Sequence, residues 1–151
     1  MLGWRRILIH HSATRGRSLA AWESIRRDHV ERRGWQDIGY HYGVGVDRGD
    51  PLLLFGRGVD VQGAHCPGQN RVALGVCFLG DFTKRAPEDA VLEFGADFLA
   101  SLCRRFLLPA DAIYPHRAFR ATECPGRSFP LTDLLERVAL RLEPAPQEEE
   151  D

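Results

Sequence analysis

The chain has 151 residues, 44% hydrophobic and 27% charged, which supports one folded domain with a sizeable core and excludes a disordered chain. Its 20 lysines and arginines face 21 acidic residues, so no overall basic field points to nucleic acid, and no nucleic-acid partner is expected. No stretch approaches the roughly 20 apolar residues of a membrane span. The first apolar run, Ile7-Leu8-Ile9, is too short for the roughly 7–15-residue apolar centre of a secretory signal. The expectation is synthesis in the cytoplasm without a signal peptide and without a membrane span. Arginines crowd the first 35 residues, among them Arg15, Arg17, Arg26, Arg27, Arg32 and Arg33. They read first as a solvated helix face, and second as an attraction to an anionic polymer.

In chain order, Arg5 to His10 reads as a short buried strand that runs into His10-His11. Ser18 is placed as the N-cap of a helix to about Arg33, stopped by Gly34, with Trp22, Ile25 and His29 inward. Tyr40 to Asp47 alternates as a strand, with His41 on the face opposite Tyr40. The turn residues Arg48-Gly49-Asp50-Pro51 then lead to a strand over Leu52–Phe55, giving a hairpin. Gly56 to Arg71 reads as a long loop, of the length that is usually functional. Val72 to Leu79 is a buried strand. Pro87 opens a helix to about Phe106 with an inward stripe of Val91, Leu92, Phe98, Leu99, Leu102, Cys103 and Phe106. Ile113 to His116 is a short strand, and 119–129 is a loop. Pro130 opens a last helix to about Leu142, with Leu134, Leu135 and Val138 inward. The reading is an α/β fold: a single domain over 1–143 with a central mixed β-sheet flanked by helices, and an acidic mobile tail over 144–151. A monomer is expected.

Three residues that carry chemistry fall at strand ends or in loops. His10 ends the first strand, His116 ends the last, and Cys124 sits in Thr122-Glu123-Cys124-Pro125-Gly126. Imidazole nitrogen and thiolate sulfur suit Zn2+, and three protein ligands leave a position open for water. Such a cation lowers the pKa of water to roughly 7 and polarises a carbonyl. Spacing alone does not show that the three meet, and HExxH and CxxC patterns are absent. Of the other cysteines, Cys77 and Cys103 lie in apolar runs and read as buried and inert, and Cys66 reads as a loop thiol.

Five ordered blocks carry a resemblance. They are Ile7-Leu8-Ile9-His10-His11-Ser12-Ala13-Thr14, Gly34-Trp35-Gln36-Asp37-Ile38-Gly39-Tyr40-His41-Tyr42, Gly63-Ala64-His65, Leu74 to Phe82, and His116-Arg117 with Thr122 to Gly126. Over about residues 5–142 the chain is similar to the type 2 N-acetylmuramoyl-L-alanine amidases, a family that includes phage lysozyme-type amidases and animal peptidoglycan recognition proteins. The resemblance implies a zinc site at His10, His116 and Cys124. It implies Tyr40 beside the reacting water, Thr122 in the site, and His65 at the cleft as a substrate-binding residue. Some phage members carry lysine at the position of Thr122, whereas this chain follows the recognition-protein branch; a threonine offers a neutral hydroxyl where a lysine offers charge.

The activity implied is hydrolysis of the amide bond between N-acetylmuramic acid and L-alanine in peptidoglycan, with peptidoglycan or a muropeptide as partner. The setting favoured is a phage or prophage lysis enzyme that reaches the wall after release. The alternatives are a non-catalytic peptidoglycan-binding module and a cytoplasmic amidase that recycles muropeptides.

Overall fold

The computed structural model describes residues 2–146. The acidic stretch Glu148–Asp151, the main part of the expected tail, lies outside them. Along the chain come β1 (Arg6–His11), α1 (Ser18–Arg27), a wide π-helical turn (Asp28–Arg32), β2 (Tyr42–Asp47), β3 (Asp50–Phe55), β4 (Ala73–Phe78), α2 (Asp89–Phe106), β5 (Ile113–Pro115) and α3 (Leu131–Leu142). The sheet order is β3-β2-β4-β1-β5, parallel except for the β2–β3 hairpin. This is the expected mixed sheet, with α2 and α3 on one face and α1 with the long 56–72 loop on the other. Among the described residues, no helix is long and apolar enough to cross a membrane.

The two faces follow from strand alternation. On β1 and β4, Ile7, Ile9, Leu74, Val76 and Phe78 enter one core with Leu99, Leu134 and Val138 from the two helices. The intervening residues Leu8, His10, Ala73, Gly75 and Cys77 face the other way, and Leu8 packs with Ala73 and Cys66. On β2, Val44 joins the helical core. A Cβ on Gly43 would lie 2.7 Å from the Trp22 ring, and one on Gly45 would lie 2.6 Å from Ser18 Cβ, so α1 lies almost on the β2 backbone. Outside this core, Arg137 of α3 reaches Asp89 and Glu93 of α2 at 2.6 and 2.8 Å and Asp133 of its own helix at 2.9 Å; the three acids are exposed, while Arg137 is largely covered.

Several boundaries differ from the sequence reading. Arg17, not Ser18, is the N-cap of α1. The Ser18 hydroxyl instead accepts the Val46 N–H at 2.9 Å and ties the helix to β2. The expected helix to Arg33 widens at Asp28. There the His29 carbonyl accepts the Trp35 N–H and His29 Nδ1 accepts the Gly39 N–H, so the last turn serves the following loop. Gly34, at φ +71°, ends it in the left-handed region. Tyr40 and His41 precede β2 rather than opening it. Helix α2 begins at Asp89, two residues beyond Pro87, and its buried stripe takes in Gly95, Ala96 and Ala100, while Phe98 and Phe106 sit partly buried at its edge.

Candidate metal centre

Strands β1, β4 and β5 run parallel, and their carboxyl ends form one edge, the place where open α/β sheets gather their sites. His10 lies near the end of β1 and is 2% exposed. His116 follows β5 at once in a short 3₁₀ turn. The loop beyond returns Cys124 to the same edge, where its carbonyl accepts the Arg117 N–H at 3.0 Å and so clips the two ligand segments together. One donor atom from each of His10, His116 and Cys124 lies within 4.8 Å of the others. The His10 and His116 rings stand 4.4 Å apart between centroids, and Cys124 Sγ is 3.9 Å from His10 Nδ1.

The donors fit a cation. His116 Nδ1 is buried with no hydrogen-bond partner, a cost that a metal bond would remove. Burial, then the neighbouring histidines His65 and His116, holds His10 well below the usual histidine range, so it is a neutral lone-pair donor. Burial likewise lowers His116. Burial pushes the Cys124 thiol up to about 11. A bound cation reverses that preference, because a coordinating thiol is deprotonated. The His11 backbone N–H already donates to Cys124 Sγ at 3.3 Å, ready to stabilise the thiolate. Two histidines and one thiolate suit zinc with an open fourth position.

Tyr40 stands beside this trio, its ring centroid 5.1 Å from that of His10 and stacked near Trp22. Burial first, then the nearby thiols Cys77 and Cys124, holds its phenol well above the usual range. It is therefore a hydrogen-bond donor at neutral pH. Tyr40 packs against the cluster that includes Cys77. Thr122 lies in the ligand loop, where its hydroxyl oxygen accepts the Cys124 N–H at 3.2 Å and shapes the turn. His65 packs behind His10, with rings 4.9 Å apart and perpendicular. His11 points away and accepts the Phe82 N–H. His41 is buried with both ring nitrogens engaged, by Val61 O and Gly75 N. It holds the 56–72 loop to β4. Cys66 is buried among Leu8 and Ala73, away from the trio.

The sequence reading missed two contributors, the His11 amide and Cys77. Cys77 pairs in register with His10. The alternation of two neighbouring parallel strands was the available signal, since it puts both side chains on one face.

A groove of about 530 Å3 opens next to Tyr40, lined by Ser24, Arg27, Asp28, Glu31 and Arg32 of α1 and its widened turn. The three-donor trio lies at the open edge of a mixed sheet, and Tyr40 borders both the trio and the polar groove. The chain belongs to the N-acetylmuramoyl-L-alanine amidase family, which it matches over residues 2–127. It is 34% identical over 127 residues to peptidoglycan-recognition protein LB of Drosophila melanogaster, covering 80% of this chain and 53% of that protein. It is 38% identical over 121 residues to a human N-acetylmuramoyl-L-alanine amidase, covering 79% of this chain and 20% of the human one. The chain thus spans about half of the first of these relatives and a fifth of the second. Among solved structures, it resembles the N-acetylmuramoyl-L-alanine amidase LysC from Clostridium intestinale, with TM-score 0.80, 25% identity, and coverage of 94% of this chain and 88% of that one. It also resembles a mutant of Drosophila PGRP-LB in complex with tracheal cytotoxin, with TM-score 0.76, 29% identity, and coverage of 85% and 79%.

Proposed function

We propose that this chain is a zinc-dependent amidase that hydrolyses the bond between N-acetylmuramic acid and L-alanine in peptidoglycan. The observation that carries this reading is the convergence of His10, His116 and Cys124 on one point within 4.8 Å. Zinc held there would acidify a water molecule and polarise the amide carbonyl. In the hydrolysis, water oxygen bonds to the carbonyl carbon, the C–N bond breaks, and the alanine nitrogen leaves carrying a proton that came from the water. Tyr40, kept protonated by burial, donates a hydrogen bond to the oxygen on which negative charge develops. Thr122 adds a neutral hydroxyl at most, so this chain lacks a cationic side chain at that position.

The groove beside Tyr40 would take the stem peptide. Arg27 and Arg32 beside Asp28 and Glu31 match a ligand that carries both carboxylates and amines. The setting proposed is a phage or prophage lysis enzyme that acts as a monomer on the wall. Digestion of purified sacculi, followed by mass spectrometry, tests the reaction. Free L-alanine amino termini should appear with no new reducing sugars. New reducing ends on intact muropeptides would refute the amidase reading, and binding without cleavage would leave a recognition module. Soluble muropeptides cleaved much faster than sacculi would favour the recycling role over lysis.

A further inference from the structure

His65 occupies a slot made by two glycines. A Cβ on Gly75 of β4 would fall 2.6 Å from two ring carbons of His65, and one on Gly63 would fall 2.6 Å from the ring as well. No other residue type leaves that space, so the ring position is built into the backbone. Within the slot, His65 Nε2 is 3.0 Å from the Ala73 carbonyl oxygen. A carbonyl only accepts, so Nε2 carries the hydrogen. A neutral imidazole has one N–H, so His65 Nδ1 is a lone pair. The ring is walled by His10, His41 and the Gly75 backbone, and among the described residues it has no acidic partner, so it is neutral. The Nδ1 lone pair faces His10 Nε2 at 2.8 Å. His10 must therefore carry its own hydrogen on Nε2. Its remaining lone pair is on Nδ1, the nitrogen that faces Cys124 Sγ.

We propose that His65 is a positioning residue for the metal centre: through the chain Ala73 O, His65, His10 it fixes the tautomer and the ring orientation of His10, so that Nδ1 is the nitrogen offered to the metal. The proposal rests on the zinc reading above. Both ring nitrogens of His65 are spent in this chain, so its part in the reaction is exerted through His10 and not by hydrogen bonding to substrate. A partner of this kind also raises the basicity of the ligand, and its removal typically weakens metal binding about 10- to 100-fold.

The wild-type protein gives the first test. Nitrogen-15 NMR of labelled histidines should show His10 and His65 both protonated on Nε2, in the metal-free and in the zinc-loaded protein. His10 protonated on Nδ1 would overturn the proposal. Zinc affinity, measured by chelator competition, gives the second. His65→Ala should lose about 10- to 100-fold in affinity with far-UV circular dichroism unchanged. His65→Asn, whose side-chain oxygen can take the place of Nδ1 as acceptor, should recover most of the loss. Gly75→Ala, which displaces the ring without removing it, should weaken zinc in the same direction. Wild-type affinity in His65→Ala would overturn the proposal. A wild-type protein that bound no zinc at all would instead remove the zinc reading, while the NMR of that metal-free protein would still decide the tautomer.

Discussion

The two faces of the sheet are built from alternate residues of the same strands, yet they do opposite work. Toward α2 and α3, β4 presents Leu74, Val76 and Phe78, all fully buried. Toward the site it presents Ala73, Gly75 and Cys77. The first face is filled by large side chains that need nothing but close packing. The second is emptied so that rings from loops can lie on the backbone: His65 over Gly75, His41 on its N–H, and Tyr40 against the cluster that includes Cys77. Small residues in a central strand therefore mark where the polar machinery sits, and large ones mark where stability comes from.

This division can be broken from the site face first. Tyr40→Phe keeps the ring and its packing but removes the donor. Turnover on labelled sacculi should fall by roughly 10²–10⁴-fold at unchanged zinc content; an unchanged rate at full occupancy would remove Tyr40 from the mechanism. On the helical face, Leu134→Ala empties a fully buried position. It should cost about 2–5 kcal/mol in denaturant unfolding, while zinc affinity of the folded protein stays at the wild-type value. A loss of affinity there would show that the faces are not independent.

Acidity sharpens the contrast. The Cys124 thiol is raised to about 11 by burial, while burial lowers His10 and His116. At neutral pH the metal-free site therefore holds neutral histidines and a protonated thiol, and zinc must displace the thiol proton. Binding should release one proton from Cys124 and up to about one more as the bound water ionises, so affinity should rise at least about tenfold per pH unit between about pH 7 and 9. Calorimetry in buffers of different ionisation heat reads the proton count. Zero protons released would mean that Cys124 is not a ligand. The smallest effect belongs to the surface. Arg137→Ala loses pairs to the exposed acids Asp89, Glu93 and Asp133. Each such pair contributes at most about 1 kcal/mol, and sacculus digestion should be unaffected.

The strands and helices were legible because their patterns are local. Ile7-Leu8-Ile9 and the Leu99/Leu102/Cys103 stripe declare themselves without knowledge of the partner. The trio was legible as donor types at element ends, and the family resemblance ordered them. What stayed hidden depends on contacts between distant segments. Ser18 looks like a cap until β2 is seen to donate Val46 N–H to it. The helix widens at Asp28–Arg32, where Gly39, ten residues on from His29, donates its N–H to the His29 ring nitrogen. The resemblance puts His65 at the cleft, and the aperiodic 56–72 loop gives no sign of what the fold over β4 shows, that its ring lies against His10.

The central claim is the ligand set, and X-ray absorption at the zinc edge tests it most directly. The zinc-loaded protein should show one sulfur at about 2.3 Å and two or more nitrogen or oxygen neighbours at about 2.0–2.1 Å. The sulfur shell should vanish in Cys124→Ser. A zinc shell without sulfur in the wild-type protein, or a sulfur shell that survives in that variant, would contradict the account.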